Sequence, residues 1–280
     1  MRRRAAPRRT FFHLAACAAW ATLALPEATR GADDLLAEAN RLYRSAADEE
    51  GEKRRSLYLE AARRYAELAR SVPNGHVLYN LGNAFYRAGV FGRAIAAYRR
   101  AEELMPRHPA TRTNLALARE RAPGGGNAPR PHPAAAAFFF WHYAMSAAEV
   151  EALAAVFYVG ALVALAGAQF ARGRFGAFRP RLRTAAAVLG ALALAFALSA
   201  CAKLVWSSRD SAIVVAAETR ARSEPAGRAP ELFALREGAE LRVISRAGDW
   251  TRIDAGRDMR GWVESRALEF LAEPPAAGAF

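Results

Sequence analysis

Two uncharged apolar segments separated by an arginine-rich stretch constrain this chain more than any other feature. The first segment, Ala152 to Phe170, has 19 residues, and the second, Ala185 to Ala202, has 18. A helix needs about 20 mostly apolar residues to cross the hydrocarbon core of a bilayer. The sequence therefore predicts two transmembrane helices within residues 147–206. Two buried core helices of a soluble protein are the alternative.

The stretch between the two segments predicts their orientation. Residues 171–183 contain five arginines and no acidic residue, whereas Glu149, Glu151 and Asp210 flank the other ends. Short cytoplasmic loops of membrane proteins are enriched in Lys and Arg. We therefore expect this loop in the cytoplasm and the remaining parts of the chain outside. The five residues are Arg172, Arg174, Arg179, Arg181 and Arg183.

The N-terminus has the layout of a secretory signal. A basic start, MRRRAAPRR, precedes an apolar stretch of 16 residues, which is short for a transmembrane helix. We predict a signal sequence over residues 1–31, cleaved after Gly31. Three alternatives stay open: lipidation at Cys17, a twin-arginine signal at Arg8 and Arg9, and retention as an uncleaved anchor.

Residues 33–122 show the apolar spacing of amphipathic helices. The unit 75–108 resembles a tetratricopeptide repeat (TPR), which implies an all-α stack of helical hairpins. A weaker unit precedes it, and the helix that begins at Pro109 closes the stack alone. The matching residues are Leu78, Leu81, Gly82, Phe85, Gly89, Ala94, Tyr98, Ala101 and Pro106.

The TPR resemblance also implies a binding surface. It places Asn80, Asn83 and Arg87 on the first-helix face that lines the concave groove of such repeats. These residues are the candidates for contact with a protein partner. The alternative is a folded spacer whose exposed polar residues contact only solvent.

Two further regions flank the apolar segments. Residues 123–145 read as a Pro/Gly linker followed by an aromatic segment suited to the membrane interface. Residues 211–272 alternate with the period of β-strands, and residues 273–280 form a tail. The resemblance in 211–272 is to the bacterial Src homology 3 domain, which implies a small all-β barrel. It rests mainly on Glu237-Gly238, Trp250 and Gly261-Trp262-Val263.

The two tryptophans of this region have two interpretations. Trp250 and Trp262 either stack on a ligand at the barrel surface or pack within the domain. The residues alone favour neither interpretation, because aromatic side chains serve both purposes.

The order of these parts resembles the BatE family of the bacterial aerotolerance operon, and Tyr79-Asn80-Leu81-Gly82-Asn83 is the most typical local match. This resemblance implies protein partners with von Willebrand factor A domains in a BatA/BatB/BatD-type envelope complex, together with a MoxR-type ATPase. The expected function is a membrane-anchored scaffold. A sensor or anchor that binds peptidoglycan is the alternative.

Other function classes have little support in the sequence. The net charge of +13 is concentrated in arginines beside apolar segments, so we expect no nucleic-acid binding. We find no nucleophile–base pair, no phosphate-binding glycine loop and no metal-ligand spacing, and therefore predict a protein without enzymatic activity, cofactor or metal. Cys17 and Cys201 lie in apolar segments, which disfavours a disulfide.

Overall fold

A computed structural model describes residues 31–127, 134, 137, 139–205, 211–256 and 258–275. The predictions for the N-terminal signal, including lipidation at Cys17, lie outside the described residues. The same is true of residues 128–133, 135, 136 and 138 between the helical domain and the apolar helices, and of the end of the C-terminal tail.

Five helices form the N-terminal helical domain. Apolar side chains recur on one face of each helix, and consecutive helices bury these faces against one another. Large buried side chains of this domain include Tyr65, Leu81, Phe85, Tyr98 and Leu115. The helices are α1 (31–45), α2 (Gly51–Ser71), α3 (Gly75–Arg87), α4 (Phe91–Leu104) and α5 (Pro109–Arg121).

Local chemistry sets the boundaries of these helices. Asn74 caps α3, since its side chain accepts a hydrogen bond from the backbone N–H of His76. Pro109 occupies the first turn of α5, where its missing N–H costs nothing. Gly82 permits a close approach within the domain, because a Cβ there would lie 2.5 Å from the ring of Tyr98.

Two long apolar helices follow, with α6 (Phe140–Ala144) before them. They are α7 (Ala147–Phe170) and α8 (Arg179–Val205), which pack against each other. Ser146 and Glu149 form a capping box at the start of α7.

Both apolar helices are long and apolar enough to cross a membrane, as the sequence predicts. Only 6% of the apolar window of α7 and 17% of that of α8 are buried within the protein. A core helix of a soluble protein would have most of this surface covered. The exposed apolar surface therefore favours the membrane interpretation over the buried one.

Seven antiparallel strands form the C-terminal sheet domain. The sequence predicts a small barrel, whereas the described strands pair in the open order β3-β2-β6-β5-β4-β1-β7. Val214, Ala221, Ile253 and Val263 belong to its buried core. The strands are β1 (Ser211–Val214), β2 (Glu218–Arg222), β3 (Glu231–Arg236), β4 (Glu240–Ala247), β5 (Trp250–Asp254), β6 (Arg260–Glu264) and β7 (Leu268–Phe270).

The helical and sheet domains dock on each other through α4, which contacts β1 and β7. Ile213 and Leu271 of the sheet domain are buried in the core of the helical domain. The backbones approach so closely that a Cβ at Gly92 would lie 2.5 Å from the carbonyl oxygen of Val214. The sheet domain thus keeps a core of its own and also contributes these two side chains to the core of the helical domain.

A buried arginine fixes the docked arrangement. Arg100 is only 7% exposed, and its Nη1 donates to Glu269 Oε1 at 2.6 Å. Its Nη2 donates to the carbonyl oxygens of Phe270 and Glu273 at 2.8 and 3.0 Å, and its Nε to that of Leu271 at 3.4 Å. One guanidinium from α4 thus satisfies a carboxylate and three carbonyl groups at the C-terminal edge of the sheet domain.

Two acidic residues of the sheet domain complete the interface. Glu237 Oε1 accepts the backbone N–H of Gly92 at 2.8 Å, which supplies a cap for α4 that Val90 at the N-cap position cannot provide. The Glu240 carboxylate, with a side chain 6% exposed, lies 2.6 Å from Arg119 Nη2 and 3.4 Å from Arg99 Nε. Acids on the sheet domain therefore face bases on the helical domain.

Replacing Arg100 with methionine should destabilise both domains together, because Glu269 would stay buried without its partner. We expect a loss of about 3 kcal/mol, which corresponds to a fall in melting temperature of roughly 6–12 °C. Thermal unfolding of the full chain in detergent, followed by far-UV circular dichroism, measures the change.

The matched control is Arg266→Met, which removes an arginine that is 85% exposed and paired with Glu264. That variant should unfold within about 0.5 kcal/mol of the parent protein. If Arg100→Met and Arg266→Met lowered the free energy of unfolding equally, the result would contradict the role of Arg100 in the interface between the domains.

Candidate functional site

A pocket lies where α1, α3, α4 and α5 of the helical domain converge. Its volume is about 270 Å³, which is below the roughly 300–1,000 Å³ of pockets that hold small-molecule ligands. A cavity of this size accommodates one or a few side chains of a bound polypeptide. We call it the tyrosine pocket, and its lining is Tyr43, Tyr79, Asn83, Tyr86, Arg87, Tyr98, Asn114 and Leu117.

Asn83 is the centre of the hydrogen-bond network in the tyrosine pocket. Its Oδ1 accepts from the Tyr98 hydroxyl at 2.7 Å and from Asn114 Nδ2 at 2.9 Å. Asn114 Nδ2 also donates to the Tyr79 hydroxyl at 3.2 Å. Because these bonds occupy the oxygen of Asn83, its amide NH₂ is left to donate to a ligand.

The tyrosine pocket combines neutral hydroxyl groups with one positive charge. Burial raises the pKa of the Tyr98 hydroxyl. Burial also raises the pKa of Tyr43, an effect partly offset by its hydrogen bond with Arg87. Arg87 is the one charged residue among the described lining residues, which include no acid. The pocket is therefore suited to peptide carbonyl groups and carboxylates.

The three groove residues predicted from the sequence do not all reach this pocket. Asn83 and Arg87 line it, whereas Asn80 is half-buried and outside the lining. Tyr79, Asn83 and Tyr86 are spaced i, i+4, i+7 and share one face of α3. Asn80 lies at the edge of that face, beside Arg87 around the helix, but its shorter side chain is not part of the lining.

Sequence reasoning missed several of the lining residues as functional candidates. The helical spacing of Tyr79, Asn83 and Tyr86 could have identified both tyrosines, because it places them on the same face of α3 as the predicted residue Asn83. Asn114 and Leu117 lie on α5, and their contribution depends on how the helices stack. That arrangement has no local signature in the sequence.

The tryptophans of the sheet domain lie on its outer face. Trp250 and Trp262 are half-buried, and they alternate along their strands with the buried residues Thr251 and Val263. Trp262 pairs with Arg252 across β5 and β6, so both indoles are on the same side of this ladder. Both rings are therefore packed in part and accessible in part.

The five arginines that predict the orientation of the apolar helices have different surroundings at the connection between α7 and α8. Arg172 and Arg181 line a cleft there, and Arg179 Nε donates to the carbonyl oxygen of Ala168 at 3.0 Å. Arg183 is exposed. The side chain of Arg174 lies outside the described part of the structure.

No protein-family model matches this chain, and no curated protein or solved structure shows significant similarity to it. The resemblances to the TPR, bacterial Src homology 3 and BatE families therefore stay predictions. Within the described residues, no group of three or more His, Cys, Asp or Glu side chains is placed to hold a metal ion. The tyrosine pocket is the strongest candidate for a functional site.

Replacing Asn83 with leucine should destabilise the helical domain, because the buried hydroxyl of Tyr98 would lose its acceptor. We expect a cost of about 2 kcal/mol in the free energy of unfolding. In a Tyr98→Phe background the same substitution should cost at least about 1 kcal/mol less. Thermal denaturation of the four proteins of this double-mutant cycle measures the coupling. Strictly additive effects would show that the network contributes no coupling energy.

Proposed function

We propose that this protein is a membrane-anchored adaptor that binds a segment of a partner protein in the tyrosine pocket. The observation that carries the proposal is the combination of four tyrosines, two asparagines and one arginine around a cavity of about 270 Å³. Aromatic rings supply apolar contact area at a small entropic cost, and the polar groups supply direction. Such a lining favours a polypeptide over a compact metabolite.

The pocket chemistry suggests the nature of the bound segment. The Asn83 amide is available to donate to a backbone carbonyl group, and Arg87 attracts a carboxylate at the rim. The neutral tyrosine hydroxyls donate and accept hydrogen bonds without repelling an anion. We therefore expect a segment with an acidic side chain, or a C-terminal carboxylate, next to an apolar residue.

Two contacts support placing both domains on the same side of the membrane. The helical and sheet domains dock through Arg100 and Glu269, which two folded domains on opposite sides of a bilayer cannot do. Arg107 forms an ion pair with Glu149, which joins the helical domain to the start of α7. Together with the arginine-rich loop, these contacts favour an arrangement with the loop in the cytoplasm and both domains outside.

The partner class in this proposal comes from the sequence resemblances. A TPR-like helical domain, a Src-homology-3-like sheet domain and the BatE-like order of parts favour membrane proteins with von Willebrand factor A domains as partners. On this basis the adaptor would serve an envelope complex linked to aerotolerance or stress. No catalytic step belongs to the proposed role.

A peptidoglycan-binding role is the second candidate function. The accessible outer faces of Trp250 and Trp262 favour it, because aromatic rings stack on the apolar faces of sugars. Under this alternative, purified cell wall should retain the full chain and release a Trp250→Ala/Trp262→Ala variant. The adaptor role predicts that cell wall retains the parent protein and the double variant to the same extent.

A photo-crosslinking amino acid at Leu117 should capture the partner in living cells, since Leu117 lies at the pocket and is exposed. Arg87→Gln should reduce the yield of that adduct about tenfold, which reflects the loss of a charge-assisted hydrogen bond. Immunoblotting of the adduct in membrane fractions measures the yield.

The control position is Val72, which is similarly exposed on the same domain but outside the tyrosine pocket. A crosslinker at Val72 should give no adduct of the same mass. Equal adducts at both positions, or an adduct at Leu117 that is unaffected by Arg87→Gln, would refute binding in the pocket.

A further inference from the structure

A cleft opens where α7 and α8 meet their connecting loop. Its volume is about 710 Å³, and its walls are mainly apolar. The lining includes the rings of Phe170, Phe175 and Phe178 and the side chain of Leu182. It is distinct from the tyrosine pocket, since the two cavities share no lining residue.

Two guanidinium groups are the charged members of the described lining. Arg172 and Arg181 contribute to the walls, and the guanidinium of Arg181 lies 5.9 Å from the ring centroid of Phe178. The chain from residue 152 to 205 contains no Asp or Glu, so no carboxylate of this segment neutralises them. An apolar cavity with a cationic rim is complementary to a molecule with an anionic head and an apolar tail.

We propose that this cleft binds an anionic phospholipid from the leaflet on the loop side, with its phosphate between Arg172 and Arg181. This inference rests on the membrane-spanning role of α7 and α8 in the proposed function. The apolar walls would cover the upper part of an acyl chain, which a free phosphate ion does not have. Basic residues near the surface attract anionic lipids, by an amount that corresponds to about a fivefold change in affinity per arginine.

Neighbouring arginines provide a matched comparison. Arg179 Nε is already bonded to the carbonyl oxygen of Ala168, which closes the C-terminal end of α7. Arg183 is exposed and is not part of the cleft lining. The proposal therefore assigns lipid selectivity to Arg172 and Arg181, and general surface charge to Arg183.

The test uses the full chain reconstituted in nanodiscs of phosphatidylcholine with a minor fraction of dioleoylphosphatidylglycerol. Native mass spectrometry after release into detergent measures which lipid the protein retains. The parent protein should retain phosphatidylglycerol in preference to phosphatidylcholine. Arg172→Gln and Arg181→Gln should each reduce this retention about tenfold or more, because each removes a charge-assisted hydrogen bond to the phosphate. Arg183→Gln removes only general surface attraction and should have a clearly smaller effect.

A steric variant tests the apolar part of the site separately. Ala171 lines the cleft, and Ala171→Trp should displace the lipid although both arginines remain. Inorganic phosphate at millimolar concentration should not compete. Equal losses for Arg183→Gln and Arg181→Gln, retention of phosphatidylcholine to the same extent, or displacement by phosphate would each overturn the proposal.

Flotation with phosphatidylcholine vesicles separates this inference from the proposed function. A chain that fails to float with vesicles would contradict the membrane-spanning role itself, and the lipid site with it. A chain that floats but shows no preference for phosphatidylglycerol would refute the lipid site alone.

Discussion

The Arg100 guanidinium, buried between α4 and β7, holds the two folded domains in one arrangement. A buried charge is tolerated only when its partners satisfy it. Here they are the Glu269 carboxylate and three backbone carbonyl groups. Since these groups come together only in the docked state, separation of the domains would break all four hydrogen bonds, and a docked arrangement that lacks either partner would bury an unpaired charge. Glu237 and Glu240 extend the same charge complementarity along the interface.

This interface connects the sheet domain to the candidate binding site through α4. Tyr98 points from α4 into the tyrosine pocket, and Arg100, two residues later, points into the sheet domain. Both side chains are buried, so a shift of α4 would disturb both sides of the helix. The sheet domain therefore supports α4 on the side opposite the tyrosine pocket.

The sequence predicts the local features well and the long-range ones poorly. Residues close to one another in sequence determine the helical periodicity, the capping box at Ser146 and the uncharged length of α7. The docking of the two domains depends on residues far apart in sequence. Arg100 resembles an ordinary surface arginine in the sequence, and its partner Glu269 is 169 residues away. Of the predicted groove residues, Asn83 and Arg87 line the pocket and Asn80 does not. The rest of the lining depends on how α5 stacks on the other helices, which no local pattern of the sequence records.

Cysteine accessibility tests the central claim, that both domains lie together on the side opposite the arginine-rich loop. With Cys17 and Cys201 replaced by alanine, single cysteines at Ser56, Asp249 and Gly176 report on the helical domain, the sheet domain and the loop. In spheroplasts, a membrane-impermeant maleimide should label the first two positions at once and Gly176 only after permeabilisation. Labelling of Ser56 and Asp249 on opposite sides of the membrane would contradict the docked arrangement.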